Sequence, residues 1–221
     1  MKRGASAVYY PAQLLVHGVP VLIVGGGEVA VRKAGSLLEA GAQVTVVSPH
    51  FHAGFRSLAR VRTLKMIQRI YRPSDLKGKR LVFAATNVER LNETIALAAK
   101  KRGQWVNVAA PPDAGDFIVP SHFRRGAVTV SISTGGASAA LARAMRERLE
   151  KALGEEWGVV AELLEARRKT VHARVSDPAA RRALLLKLGH RKIVALAKKS
   201  GRVAAARAMD RLIADAARAR A

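Results

Sequence analysis

The stretch that decides the fold is Val19-Pro-Val-Leu-Ile-Val-Gly-Gly-Gly-Glu-Val-Ala30. A short apolar run, typical of a buried strand, leads directly into a G-x-G-x-x-A pattern that opens a helix. Gly25 permits a tight turn, Gly27 lets a pyrophosphate approach the backbone, and Ala30 keeps strand and helix close. The start of the helix adds unpaired N–H groups and a positive dipole. We therefore predict that Gly25, Gly26 and Gly27 bind a dinucleotide; the alternative is a tight turn that binds nothing.

Strand and helix patterns alternate as far as Val108, which indicates βαβ units around a parallel sheet. We predict strands at Val19–Val24, Gln43–Val47, Thr63–Tyr71, Leu81–Ala85 and Trp105–Val108, with helices over Val29–Ala40 and Val88–Arg102. After Pro111-Pro112 the pattern predicts two strands, Phe117–Val119 and Ala127–Ser133, then a helix over Ser138–Leu153 and only helices after Gly154. The sequence thus predicts an α/β fold in three parts: a dinucleotide-binding domain (1–110), a small α+β region (111–153) and a helical domain (154–221).

Charge is the unusual feature of the composition, since 39 Lys and Arg against 16 Asp and Glu give a net charge of +23. Such a field attracts polyanions: nucleic acid, an anionic membrane surface or a small polycarboxylate. Aromatic residues are only 5% of the chain, so a stacking platform for nucleic acid is missing. The Ala/Arg-rich stretch 198–221 is open to two interpretations, a nucleic-acid arm or the solvated face of an amphipathic helix.

Cysteine is absent, which excludes thiolate catalysis, disulfides, Cys-ligated zinc and iron–sulfur clusters. We find neither the apolar block of a secretory signal nor a run of about 18 apolar residues that would span a bilayer. We therefore expect a cytoplasmic protein.

Two further positions are candidates for cofactor contact. An acidic residue that would grip the ribose is missing after the second predicted strand, where Ser48, Pro49 and His50 stand. The residue chemistry thus leaves NAD and NADP open, and His50 with His52 could be either metal ligands or surface residues. Thr86 and Asn87 follow the fourth predicted strand, at the sheet edge where ligands bind, and could equally cap the next helix.

Several motifs together carry a resemblance to a known family. They are Val21-Leu-Ile-Val-Gly-Gly-Gly-Glu-Val-Ala-Val-Arg-Lys33, Leu38-Glu-Ala-Gly-Ala42, Ala84-Ala-Thr-Asn87, Asn107-Val108, Asp116-Phe-Ile-Val-Pro120 and Ser131-Ile-Ser-Thr-Gly-Gly-Ala-Ser138. In order and spacing, over about residues 8–153, they resemble the precorrin-2 dehydrogenase (sirohydrochlorin ferrochelatase) family, which also forms the N-terminal module of sirohaem synthase. The Ser-Thr-Gly-Gly-Ala-Ser element makes the resemblance specific, because the glycine-rich turn alone is shared by many nucleotide binders.

The resemblance implies an NAD-dependent oxidation of precorrin-2, a tetrapyrrole with eight carboxylates, to sirohydrochlorin, and in some members the insertion of ferrous iron. It also implies a homodimer built from a Rossmann-like domain, a dimerisation region and a small helical domain. By position it places cofactor contacts at Glu28, Val29, Pro49 and His50, with Thr86 nearby, beside the candidates Gly25, Gly26, Gly27 and Asn87 from the residues themselves. The candidates for substrate contact are Asn107, Thr134, Gly135, Gly136, Arg124 and Arg125. The two arginines either attract the carboxylates or are solvated surface charges.

One position departs from the family pattern. Relatives carry an Asp after the fifth strand, assigned to proton transfer and iron insertion, and here the matching residue is Ala110. Because a methyl group neither takes a proton nor binds a metal, we expect iron chelation to be weak or absent. Asp113, Asp116 and His122 are the candidates for the catalytic role, His122 also being open to interpretation as a surface residue. The alternative function is a carrier or scaffold that holds NAD or a tetrapyrrole without turnover.

Overall fold

The computed structural model describes residues 8–218. The chain divides into two compact units, Met1–Val119 and Pro120–Ala221. The division into three parts drawn from the sequence stays a prediction. Within the described residues, no helix is both long enough and apolar enough to cross a membrane.

The first unit is built on a parallel sheet of five strands, in the order β3-β2-β1-β4-β5. The strands are β1 (Pro20–Val24), β2 (Gln43–Ser48), β3 (Leu64–Gln68), β4 (Leu81–Ala84) and β5 (Trp105–Val108). The helices are α1 (Glu28–Glu39), α2 (Phe55–Leu58) and α3 (Glu89–Lys100). The predicted α/β fold class is confirmed, and each strand and helix predicted between Val19 and Val108 is found within a few residues of its predicted ends.

The sheet of the first unit is buried on both faces, as a parallel sheet requires. Alternate residues of β1 point to opposite sides: Val21 and Ile23 pack in the cluster that contains Ala30 and Ala34 of α1. Leu22 and Val24 pack in the other cluster, which contains Ile95, Ala96 and Ala99 of α3. The carboxyl ends of β1, β4 and β5 therefore lie side by side in a rigid edge.

The second unit combines an antiparallel strand pair with four helices. Its elements are β6 (Ser121–Arg125), β7 (Val128–Ile132), α4 (Ala139–Ala152), α5 (Glu156–Arg174), α6 (Pro178–Leu188) and α7 (Arg191–Arg218). A small cluster of Phe123, Ile132 and Ala142 joins the strand pair to α4. The last three helices share a separate apolar core, which includes Val171, Leu188 and Met209.

The predicted strand Phe117–Val119 is wrong, because the partner of β7 is Ser121–Arg125 instead. Phe117 is tied to the first unit: its carbonyl accepts a hydrogen bond of 2.9 Å from Asn107 Nδ2, and its ring meets Phe83 edge-on at 5.6 Å. Pro120 has no N–H to donate to a ladder, so pairing begins only after it.

Helix α7 covers most of the Ala/Arg-rich stretch. One face is buried, with Ala205, Met209 and Ile213 in the helical core, and Gly201 interrupts it with φ 79° and ψ 177°. This arrangement favours the amphipathic-helix interpretation over a free arm. Residues 219–221 of the stretch lie outside the described residues.

Candidate dinucleotide site

The glycine-rich turn between β1 and α1 has two positions that admit no side chain and one that is open. A Cβ on Gly25, whose φ is +118°, would lie 2.2 Å from the Ala85 carbonyl oxygen. A Cβ on Gly26 would lie 2.1 Å from the His50 carbonyl oxygen, whereas one on Gly27 would meet nothing within 4 Å. Gly25 and Gly26 therefore serve the turn itself, and Gly27 faces open space where a ligand can approach the backbone.

The start of α1 offers hydrogen-bond donors toward that space. Gly27 is the N-cap residue and supplies no side-chain cap. The first backbone bond of the helix runs from Val31 N to the Gly27 carbonyl, at 3.0 Å. The preceding N–H groups, those of Glu28 and Val29 among them, have no partner inside the helix. Open N–H groups, a positive dipole and the absence of a Cβ fit the diphosphate of a dinucleotide.

The loop after β2 is hydrogen-bonded to this turn. His52 N donates to the Gly26 carbonyl at 2.8 Å, and Ser48 Oγ donates to the His50 carbonyl at 2.6 Å. Pro49 and His50 are exposed, while Ser48 is buried and its hydroxyl proton is already used. Within residues 8–218, no group of three His, Asp or Glu side chains is arranged to hold a metal ion.

The ends of β4 and β5 are joined by a residue that the sequence analysis missed, Asn92 of α3. Its Oδ1 accepts from Thr86 N at 3.1 Å and from Thr86 Oγ1 at 2.7 Å. Its Nδ2 donates to the carbonyls of Thr86 and Ala110, both at 3.0 Å. The sequence did contain a signal for Asn92, because this polar residue shares a helix face with the apolar residues Ile95, Ala96 and Ala99. The N-cap residue of α3 is Val88 and not Thr86 or Asn87, although Thr86 Oγ1 accepts from Val88 N at 3.2 Å at the start of that helix.

Asn107 of β5 is almost fully buried and both ends of its amide are engaged. Lys33 Nζ of α1 donates to Asn107 Oδ1 at 2.7 Å and lies 5.3 Å from the centre of the Phe83 ring. Burial, together with the charge of the neighbouring Arg32, lowers the pKa of Lys33 from 10.5 to about 8. Lys33 is half-buried and is a second polar group that the sequence analysis did not single out.

The two candidate carboxylates of the first unit differ in their surroundings. Asp116 Oδ2 accepts from Val106 N at 3.0 Å, and its Oδ1 lies 3.4 Å from Lys100 Nζ. Asp113 lies in a single 3-10 turn, Pro112–Ala114, and is exposed. Asp116 is thus held in a structural role, and Asp113 is free to meet a ligand.

The remaining predicted site residues lie in the second unit. The half-buried His122 ring of β6 is 3.1 Å from the Pro120 carbonyl. Thr134 Oγ1 accepts from Ser138 N and donates to its carbonyl, and this closes a turn in which Gly135 and Gly136 are exposed.

The two arginines of β6 have different surroundings. Arg125 donates to the Leu153 and Glu150 carbonyls at 3.1 and 3.0 Å and pairs with Glu150 and Glu155. Arg124 is exposed and forms no ion pair within residues 8–218. Arg125 is therefore occupied in fastening α4, and Arg124 is the guanidinium available to a ligand.

Comparison with known proteins places these features in a family. A family model described as "Putative NAD(P)-binding" matches residues 13–121. The siroheme synthase of Methylococcus capsulatus is 42% identical over 174 residues, covering 79% of this chain and 37% of that protein. A solved structure titled "SirC, precorrin-2 dehydrogenase" superposes with a TM-score of 0.73 at 26% identity, covering 94% of this chain and 100% of that one. Over most of its length the chain resembles the precorrin-2 dehydrogenase family.

Other members of this family give the same result. The siroheme synthase of Nitrosomonas eutropha is 42% identical over 154 residues, which are 69% of this chain and 32% of that protein. The chain thus spans about a third of the length of the curated relatives that it matches. The family resemblance, the Rossmann-like fold and the prediction of NAD as cofactor are confirmed by these matches.

Proposed function

We propose that this chain catalyses the NAD-dependent oxidation of precorrin-2 to sirohydrochlorin, an oxidoreductase reaction on a CH–CH bond in sirohaem and porphyrin biosynthesis. The observation that carries the proposal is the open position at Gly27, with unpaired N–H groups behind it, in a chain related to a precorrin-2 dehydrogenase.

In the proposed reaction the protein mainly binds and orients. NAD, when bound, supplies the acceptor for a hydride. The start of α1, with Glu28 and Val29, would hold the diphosphate, and Pro49 and His50 would border the adenosine half. Thr86 and Asn87 would border the nicotinamide half. Holding the reacting carbon atoms at close distance can supply several kcal/mol of the barrier.

Recognition of precorrin-2 is assigned to the second unit's exposed turn and to one arginine. Gly135 and Gly136 present backbone without side chains next to Thr134, and Arg124 offers a guanidinium to a carboxylate. Asn107 and Arg125 have no free polar atom directed at a ligand, so we assign them to positioning the surrounding backbone.

Removal of a hydride must be accompanied by loss of a proton from the tetrapyrrole. We assign this proton to Asp113, since its carboxylate is exposed and unpaired within the described residues, whereas Asp116 is fixed by Val106 N and Lys100. His122 is the second candidate, because an imidazole within reach of the substrate can accept a proton as a general base. Iron chelation should be weak or absent, since Ala110 offers no carboxylate, and Ala110→Asp should raise it.

We also propose that the chain works as a homodimer. Helix α4 exposes an apolar stripe at Leu141, Met145 and Leu149, whose exposed fractions are 54%, 44% and 37%. Spacing of four residues places the three side chains on one helix face, which a second copy would cover. In sedimentation experiments Met145→Glu should give monomers and Leu186→Glu, an exposed position on α6, should not. A dimer that survives both substitutions would exclude this stripe as the interface.

A cytoplasmic location is proposed because the chemistry draws on the cell's NAD pool; fractionation of cells that express the chain checks it.

The decisive experiment combines calorimetry with absorbance at 340 nm. The purified chain, mixed with precorrin-2 and NAD, should form NADH well above the uncatalysed background. Gly27→Val should fold normally, because nothing lies within 4 Å of its Cβ, and should lose the heat of NAD binding and the NADH signal together. Tetrapyrrole binding without NADH formation by the native chain would instead support the carrier or scaffold alternative.

A further inference from the structure

Asn92 has a hydrogen-bonding arrangement that is complete for a side-chain amide. Both lone-pair directions of Oδ1 and both N–H groups of Nδ2 are used, in bonds of 2.7 to 3.1 Å. The side chain is fully buried. Its orientation is fixed by its partners, because Thr86 N donates while the Thr86 and Ala110 carbonyls accept.

The partners of Asn92 lie on two different loops. Thr86 follows β4 and Ala110 follows β5, and these strands are neighbours at the carboxyl edge of the sheet. One side chain from α3 thereby sets the distance between the two loops. It also accepts from the Thr86 hydroxyl, whose oxygen in turn accepts from Val88 N at 3.2 Å, so the Thr86 side chain is held within this network.

We propose that Asn92 is a positioning residue for hydride transfer: it fixes the Thr86 loop, which borders the nicotinamide half, against the Ala110 loop. The inference rests on the proposed function, in which the nicotinamide half of NAD lies next to Thr86. The diphosphate site at Gly27 belongs to a different loop and does not depend on Asn92. Loss of Asn92 should therefore misalign the reacting atoms and leave dinucleotide affinity nearly unchanged.

Asn92→Asp tests this because it keeps the size of the side chain and replaces the Nδ2 donor by an oxygen that faces two carbonyl oxygens. We expect single-turnover NADH formation to fall about 10-fold to 100-fold, the size of effect that a displacement of about 1 Å produces. The Kd for NAD should stay within about three-fold of the native value. Glu93→Gln, at an exposed position of the same helix, is the matched control and should change neither quantity.

A second measurement is made without cofactor or substrate. In hydrogen–deuterium exchange of the free protein, Asn92→Asp should raise exchange in peptides that cover residues 84–92 and leave residues 25–31 unchanged. If Asn92 served stability alone, its replacement would raise hydrogen exchange throughout the first unit. The rate of NADH formation would then fall only in proportion to the folded fraction of the protein.

The outcomes separate this inference from the proposed function. Failure of the native chain to bind NAD or form NADH would overturn the proposed function and the inference with it. Normal native turnover with an equal rate in folded Asn92→Asp would overturn the inference alone. If Asn92→Asp does not fold, Thr86→Val decides, because it removes the hydroxyl that donates to Asn92 Oδ1: a fall in the single-turnover rate with an unchanged Kd for NAD supports the role. An unchanged rate in Thr86→Val refutes it.

Discussion

Lys33 makes a quantitative prediction about the pH dependence of stability. Its ammonium group is held among Asn107, Phe83 and the neighbouring Arg32, and burial lowers its pKa from 10.5 to about 8. At about 1.4 kcal/mol for each pH unit between these two values, keeping Lys33 protonated costs the folded state about 3.5 kcal/mol at most. Partial contact of the side chain with water makes this an upper value.

The sign of the effect follows from proton binding in the two states. Below pH 8 both the folded and the unfolded chain hold the proton, and the full cost is present. Between pH 8 and 10.5 the unfolded chain binds more protons than the folded one, so the free energy of unfolding rises with pH. Lys33→Met binds no proton in either state and lacks this rise.

The assay is urea unfolding at pH 7.0, 8.5 and 9.5, followed by fluorescence of Trp105 in a Trp157→Phe background, so that the signal reports on the first unit. The free energy of unfolding of the native side chain, minus that of Lys33→Met, should increase by about 2 kcal/mol between pH 7.0 and 9.5. Lys101→Met, at an exposed position, should follow the native slope. An equal difference at all three pH values would refute the burial of a charged Lys33.

Three further predictions concern single positions. Gly26→Ala should unfold the first unit or lower its free energy of unfolding by about 3 kcal/mol or more, because the new Cβ would lie 2.1 Å from a carbonyl oxygen. Gly27→Ala should lower the free energy of unfolding, measured in urea, by only about 1 kcal/mol. The hydrogen bonds from Arg69 hold the pKa of Asp75 below its usual value. In acid titrations below about pH 4, the free energy of unfolding of the native chain should therefore fall more steeply than that of the Asp75→Asn variant. Arg124→Gln should raise the KM for precorrin-2 about 10-fold with little change in kcat in steady-state assays, and an unchanged KM would remove Arg124 from the substrate site.

The first unit could be predicted largely because its signals are local. The sequence from Val19 to Ala30 contains the strand, the turn and the start of the helix in succession, and each requires only its neighbours along the chain. Asn92 and Lys33 could not be found in this way, since their partners Ala110 and Asn107 are distant in sequence. The wrong prediction of a strand at Phe117–Val119 has the same cause. The local apolar run is typical of a strand, but contacts of Phe117 with residues distant in sequence hold the segment in another conformation.

The hydrogen bond from His52 to the Gly26 carbonyl couples two parts of the candidate dinucleotide site through the main chain. A change in the length of the loop after β2 would therefore displace the turn to which we assign the diphosphate. A change of preference between NAD and NADP should therefore be sought by replacing side chains such as that of His50 while the backbone of the loop is kept. Grafting the corresponding loop from a dehydrogenase of different loop length should lower the affinity for every dinucleotide at once.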